Sequence, residues 1–423
     1  MTDHRNYLTS LEQFGVKLGL HQIQNLVEGL GHPERAFRSV HVAGTNGKGS
    51  VTAMVEHGLR AAGLRTGRYT SPHLIHLEER FALDGQPVAP ILLDEALGRV
   101  RSAAADLTNP PSFFEATTAA AFELFREVGI DVAVLEVGLG GRLDATNIVD
   151  PTAIAITAID YDHQRALGRS LEAIAREKAG IIRSACPVIL APNPVPVGRV
   201  VAETCAEVGA SLTLASDGTT TRVSMQDGRA RLSLTTPRRT YADILLGLAG
   251  RHQVDNAVTA VRVLEVLDGG IPSLDAAAVR AGVEQVEWPG RLEHIEWNGH
   301  ALLLDGAHNP SGARALAAHI TETYGRPLPM VVSVLGDKDT SALLGALAPA
   351  ASHFVFTTPG ARRAAAPADL VTAAAAIAPA IPAMVADRPE AALDGAVPLG
   401  SPIVVAGSFY LVGAVRGLAT TTS

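Results

Sequence analysis

Cysteine is nearly missing from this chain of 423 residues: only Cys186 and Cys205 occur. Two cysteines give no disulfide framework and no thiolate metal cluster, and both read as small apolar residues of a reducing compartment. A basic excess is missing too. The formal net charge is −8, which removes the positive field that a nucleic-acid surface needs. An acidic chain still binds anions, but only through local Lys, Arg and helix starts. There is also no long uninterrupted hydrophobic run. The longest apolar stretch, Leu370–Ala386, is mostly alanine and carries Pro379 and Pro382, which suits a helix–turn–strand rather than a membrane span. The start, MTDHRNYLTSLEQF, is polar and mixed in charge, without the pattern of a signal peptide. No internal repeat is visible. The expectation is a cytoplasmic protein, monomeric, with neither nucleic acid nor membrane as partner.

What is present is apolar content and glycine in particular places. Hydrophobic residues make up 47% of the chain, and its length exceeds one ordinary core, so two domains are expected. The stretch HVAGTNGKGSVTAMVEHGL, His41–Leu59, organises the first of them. An apolar strand, Ser39 to Ala43, is predicted to turn through Gly44, Thr45, Asn46, Gly47, Lys48 and Gly49. A helix then begins, with apolar residues at Val51, Met54, Val55, Leu59 and Ala62. Strand, glycine turn, lysine, hydroxyl and helix together make a phosphate-binding loop. Glycines let backbone wrap an anion, and the helix start offers free N–H groups. Lys48 would reach terminal phosphates and the Ser50 hydroxyl would face Mg²⁺. The spacing departs from G-x-x-x-x-G-K-[ST]: position 42 is Val, and Gly49 separates Lys48 from Ser50. The plainer alternative is an ordinary glycine turn before a helix.

Along the chain, Leu8–Leu30 reads as helical, followed by alternating strands and helices. Short strands buried on both faces are expected at Asp131–Val137 and Ala153–Ile159, with further strands at Arg65–Tyr69 and Val188–Ala191. Helices are expected near Leu92–Ala105, Phe114–Val128, Ser170–Gly180 and Val200–Gly209. Between Ser211 and Leu248 the period switches to two, with Asp227-Gly228 as a hairpin turn, which predicts a small antiparallel sheet. Helices near Gln253–Leu267 and Ser273–Gln285 close this part, and the boundary falls around Trp288-Pro289-Gly290. A second alternation starts at His300, with five strands: Ala301–Asp305, Met330–Leu335, His353–Thr357, Met384–Ala386 and Ile403–Ala406. The predicted architecture is α/β: a P-loop-type doubly wound parallel sheet domain with a small antiparallel β subdomain, residues 1–290, then a smaller Rossmann-like domain, residues 298–423. No G-x-G-x-x-G follows the second domain's first strand, so no dinucleotide is indicated.

Ligands of open α/β sheets gather at the carboxyl ends of the strands. Glu136 ends an otherwise apolar run, where a carboxylate is costly unless paired with an arginine or bound to metal; the phosphate loop in the same sheet favours metal. His163 directly follows a central strand, although a lone His is more often just a loop residue. Lys178 falls on the apolar stripe of its helix with Leu171, Ile174 and Ala175, which reads either as a snorkelling lysine or as an ammonium, or modified lysine, aimed at an active site. Asp305, His308 and Asn309 in DGAHNP end a strand of the second domain and could equally be a helix-capping turn.

GTNGKGS at Gly44–Ser50, SPHL at Ser71–Leu74, GGRLDATN at Gly140–Asn147, REKAGI at Arg176–Ile181 and DGAHNP resemble the Mur ligase superfamily. Within it the chain is similar to the folylpolyglutamate synthase/dihydrofolate synthase family, from about Leu18 to GSFYLVG at Gly407–Gly413. The resemblance implies an ATP-dependent ligase that joins L-glutamate to dihydropteroate, a reduced folate, or both, through an acyl phosphate. It implies Mg²⁺, two ions, held by Ser71, Glu136 and His163, and a carbamylated lysine at Lys178. It implies ATP on the phosphate loop, Asn256, Arg291 and Asp305. Ser112, Phe114, Leu143, Asp144 and Ala145 match positions near the pteroate, and His308 and Ser408 are candidates for the amino-acid site. Ala166 stands where the family often has an aromatic residue, so the resemblance implies a smaller side chain on one wall. Two rivals stay open: another Mur-type amide ligase, such as one acting on peptidoglycan precursors, and a nucleotide-binding switch without ligase chemistry.

Overall fold

The structure, a computed structural model, describes residues 3–15, 19–360 and 363–421. The chain opens with α1 (Asp3–Ser10), a 3-10 turn Leu11–Phe14 and α2 (His21–Gly29). The single helix expected over Leu8–Leu30 is therefore two helices with a break between them; Leu18 lies outside the described residues. Next come β1 (Arg38–Ala43), α3 (Lys48–Ala61), β2 (Thr66–Tyr69), the short strands β3 (Phe81–Leu83) and β4 (Gln86–Pro87), α4 (Pro90–Ala104), α5 (Phe113–Val128), β5 (Val132–Glu136) and β6 (Ala153–Ile156). They are followed by α6 (Gln164–Leu167), α7 (Leu171–Ala179), β7 (Pro187–Leu190), α8 (Val195–Val208) and β8 (Ser211–Leu214).

These strands form one sheet in the order β4-β3-β2-β5-β1-β6-β7-β8, parallel from β2 to β8. β5 is buried throughout because both faces are covered. Val132 and Val134 pack into one core, Ala133 and Leu135 into another with α4 and α5. Local chemistry fixes the helix starts. Ser112 accepts the Glu115 N–H at 3.2 Å, while the Glu115 carboxylate takes the Ser112 N–H at 2.7 Å, a reciprocal cap worth about 1 kcal/mol. Ser170 caps α7 on one side only, accepting the Ala173 N–H.

β9 (Thr220–Gln226), β10 (Arg229–Thr235) and β11 (Thr240–Ala249) form the small antiparallel sheet, packed on α9 (Gln253–Leu267) and α10 (Ala276–Glu284). Ser211–Leu214 does not belong to it: β8 is the edge of the parallel sheet, paired with β7, and only its S-L-T-L sequence alternates like a hairpin strand.

The second domain holds a six-stranded sheet, one strand more than expected and starting earlier than residue 298. β12 (Glu293–Trp297) pairs antiparallel with β13 (His300–Leu304). The remaining elements are α11 (Pro310–Tyr324), β14 (Leu328–Val332), α12 (Thr340–Leu347), β15 (Ala351–Phe356), α13 (Pro367–Ile377), β16 (Ala383–Val385), α14 (Pro389–Ala396), β17 (Ile403–Ala406) and α15 (Phe409–Thr421). The order is β12-β13-β17-β14-β15-β16. Leu303, Met330 and Val404 face one core, and Leu302, Val331 and Val405 face the other. Among the described residues no helix is long and apolar enough to cross a membrane.

Candidate active site

Register places the chemistry. β1 lies between β5 and β6, with Val42 opposite Glu136 and Ala155. The loop after β1 therefore leaves the sheet beside Glu136. Thr45 and Asn46 both donate their N–H to Ala158 O, at 2.8 and 3.1 Å, which ties the loop to the segment after β6. Two glycines of the loop are sterically required. A Cβ on Gly44 would lie 1.8 Å from Thr157 Oγ1, and one on Gly47 would lie 2.3 Å from Asn256 Oδ1, both at positive φ.

A cavity of about 380 Å³ opens above this loop. Gly44, Thr45, Asn46, Gly47, Lys48, Gly49, Ser50, Ser71, Glu136, His163, Lys178, Asn256, Arg291, Asp305, His308 and Ser408 all line it. Residues predicted from both halves of the chain thus meet at one site. Lys48 Nζ donates back to Thr45 O at 3.2 Å. The Ser71 N–H donates to Glu136 Oε2 at 3.2 Å. Burial pushes the Glu136 carboxyl upward, against Lys48, the Ser71 amide and Arg291. Among the described residues no group of three His, Cys, Asp or Glu suited to a metal is assembled. A buried carboxylate facing a phosphate loop still fits a hard cation, because Mg²⁺ commonly takes one or two carboxylates and completes its shell with phosphate and water. His163 Nε2 lies 3.3 Å from Lys338 Nζ, and burial lowers its pKa to about 4, so its imidazole is neutral at pH 7.

Lys178 is 4% exposed and donates to Gly44 O at 2.6 Å. Burial, then the charge of Lys48, lowers its pKa to about 7. The inward position expected from the helix stripe thus points its Nζ at the phosphate loop. On the opposite wall, Asp305 accepts the N–H groups of Leu292 at 3.0 Å and Ala307 at 2.9 Å. Arg291 is half-buried, with its Cζ 4.7 Å from the Phe409 ring centroid. Asn256 donates to Gln253 Oε1 at 2.8 Å. Ser408 Oγ accepts the Tyr410 N–H at 3.2 Å.

Ser112, Phe114, Leu143, Asp144 and Ala145 do not line this cavity. Ser112 is spent on the α5 cap. Asp144 accepts from Thr146 N and Oγ1 and from Leu139 N, at 3.0, 2.6 and 2.8 Å, and so shapes the loop whose Gly138, Leu139 and Gly140 do line it. Phe114 stands directly behind Gly138, where a Cβ would meet its ring at 2.5 Å. Ala145 is buried in the core beneath Phe113 and Phe114, and Leu143 is half-buried.

Sequence reasoning missed the contacts that join the halves. Lys338 Nζ meets Asp162 Oδ1 at 2.5 Å, with both side chains under 10% exposed. Asn309 donates to Asn46 Oδ1 at 3.0 Å and to Asp162 Oδ2 at 3.2 Å. Burial alone would raise the Asp162 carboxyl, but His308 and Lys338 outweigh it and hold the group far below the usual carboxylate range.

With this geometry in view, the Mur ligase middle domain matches residues 42–264, and the Mur ligase glutamate ligase domain matches residues 290–409. The dihydrofolate synthase/folylpolyglutamate synthase of Mycobacterium tuberculosis is 40% identical over 366 residues, covering 82% of this chain and 75% of that protein. The chain belongs to the folylpolyglutamate synthase/dihydrofolate synthase family. It is accordingly an ATP-dependent ligase of folate metabolism that forms a bond to glutamate. Two solved members of the family share the whole architecture. The M. tuberculosis folylpolyglutamate synthase, complexed with ADP and AMPPCP, superposes with a TM-score of 0.90 at 35% identity, over 98% of this chain and 99% of that one. A bifunctional folylpolyglutamate synthase/dihydrofolate synthase with Mn, AMPPNP and L-glutamate bound gives 0.85 at 31% identity, over 99% and 98%.

Proposed function

We propose that ATP binds with its phosphates on Gly44–Ser50, while Asn256, Arg291 and Asp305 hold the rest of the nucleotide. The observation that carries this reading is the single cavity, whose walls are the phosphate loop on one side and the DGAHNP strand end on the other. Dihydropteroate, a reduced folate, or both present a carboxylate that attacks the γ-phosphorus, giving an acyl phosphate and ADP. The amine of L-glutamate then attacks the acyl carbon, a proton is lost, and phosphate leaves. Lys48 positions and neutralises the phosphates during the first step. Closing the two walls excludes water, which would otherwise hydrolyse the acyl phosphate. Glu136, the Ser71 hydroxyl and His163 would hold Mg²⁺, two ions on this reading, and the metal would supply positive charge to the transferring phosphoryl group.

Lys178 is carbamylated in the active enzyme on this reading. Carbamates form from a neutral amine and CO₂, and an amine lowered to about 7 is available at neutral pH. The carbamate nitrogen keeps one N–H, so the bond to Gly44 O survives modification. His308 and Ser408 face the glutamate. Ser112, Phe114 and Leu143–Ala145 form the pteroate side behind the Gly138–Gly140 loop. Residues 1–290 act as the ATP-binding unit, and the domain that opens with β12 at Glu293 acts as the glutamate-ligase unit, in a cytoplasmic monomer.

ADP release measured with glutamate and a panel of pteroate, folate and muramyl acceptors tests the whole reading. Turnover with muramyl acceptors alone, or without any acceptor, would refute it. Two variants test the walls separately. Glu136→Gln keeps the size of the side chain and removes the charge, so the Mg²⁺ concentration for half-maximal rate should rise at least about tenfold; an unchanged titration would make this carboxylate purely structural. Asp305→Ala should raise KM for ATP by about 10- to 100-fold, and because it also unpairs the Leu292 and Ala307 N–H groups a fall in melting temperature should accompany it. Unaltered ATP dependence at saturating acceptor and glutamate would remove Asp305 from the site.

A further inference from the structure

Gly49 stands between Lys48 and Ser50, where the common phosphate-loop pattern has no residue, and nucleotide binding alone does not call for it. Its surroundings give a reason. A Cβ on Gly49 would lie 2.9 Å from Nε1 and 3.2 Å from Cε2 of Trp288, so the indole rests on bare backbone at the first turn of α3. The guanidinium of Arg68, on β2, lies over the same indole, with Cζ 4.7 Å from the ring centroid. Arg68 is itself fixed, with Nη1 3.4 Å from Glu56 Oε2, and Glu56 Oε1 accepts the Thr66 hydroxyl at 2.6 Å. Trp288 is thus clamped to the phosphate-loop domain by two elements. Three residues later the same segment delivers Arg291 into the cavity. Gly290, between them, has φ of 71° and passes its carbonyl to the Gly306 N–H of the second domain at 2.8 Å.

We propose that Trp288 is a positioning residue for nucleotide turnover: its indole, wedged between Gly49 and Arg68, sets the point from which the linker projects Arg291 over the nucleotide. The inference rests on the reading that phosphates lie on Gly44–Ser50. Glycine at 49 has no side chain to absorb movement of the loop, so a shift of the first turn on phosphate binding bears directly on the indole and, through it, on the placement of Arg291.

The test is a double-mutant cycle on the full-length enzyme with Trp288→Leu and Arg291→Ala. Leucine keeps apolar packing but offers no π face to Arg68. Trp288→Leu should raise KM for ATP about tenfold, and the double variant should be no worse than Arg291→Ala alone, because both changes act through one group. Multiplying effects would assign Trp288 to general packing and overturn the proposal. Should Trp288→Leu fail to fold, fluorescence decides. Trp288 and Trp297 are the only two tryptophans, so Trp297→Phe leaves one indole. Its emission should change saturably with added ADP and Mg²⁺. Constant emission while calorimetry records ADP binding would overturn the proposal. Absence of ADP binding by calorimetry, with Lys48→Ala indistinguishable from wild type, would instead refute the phosphate-loop reading beneath it.

Discussion

Lys178→Ala is expected to lose about 10²–10³-fold in turnover and to regain part of it when a small carboxylic acid is added to the buffer. Lys178 sits 4% exposed, with Nζ on Gly44 O; burial and then the charge of Lys48 depress it, against the carboxylates of Asp162 and Asp144. A protonated amine there would oppose a metal ion and draw the terminal phosphate out of line. A carbamate reverses the sign and offers two oxygens to a hard cation or to its water. The direct measurement is ¹³C NMR of enzyme equilibrated with labelled bicarbonate. The neutral amine that CO₂ requires diminishes as pH falls through about 7, so the carbamate signal should fade on acidification. Fully active enzyme without a carbamate signal would return Lys178 to the role of a cation bound to the loop carbonyl.

Lys48→Ala is the second large effect, with a loss of about 10³-fold or more in ligation expected. Its hydrogen bond to Thr45 O at 3.2 Å is a loop contact on a half-buried side chain, so stability should fall by no more than about 1 kcal/mol. The melting temperature separates the two quantities. A folded variant with near-normal coupled turnover would show that the glycine turn only begins a helix.

Contiguous chemistry was legible in the sequence. The phosphate loop, the buried strand carrying Glu136 and the stripe carrying Lys178 each occupy one short stretch, where periodicity and residue type suffice. The doubly wound order followed from the same alternation. What stayed hidden depends on distant partners. Asp162 meets Lys338 across 176 positions, and nothing in either neighbourhood signals the other. Asn46 reads as a loop residue until Asn309 stands against it. The misplaced strand at Ser211–Leu214 has a sequence cause: S-L-T-L alternates polar and apolar residues as a hairpin strand does, although it pairs parallel with β7 at the sheet edge. The antiparallel β12 escaped notice because EHIEW alternates weakly and lies just after the expected boundary.

The division of the cavity between two separately cored domains has a consequence for economy of fuel. Lys48, Glu136 and Lys178 lie on the first domain, and Arg291 and Asp305 meet them across a seam that includes the Asn46–Asn309 and Asp162–Lys338 contacts. Were that seam to part, a nucleotide on the phosphate loop would face only half of the polar groups that line the cavity. The Asp162 carboxylate, paired with Lys338 across the seam, thus ties a complete set of nucleotide contacts to the joined domains, so fuel would be spent only where both halves meet.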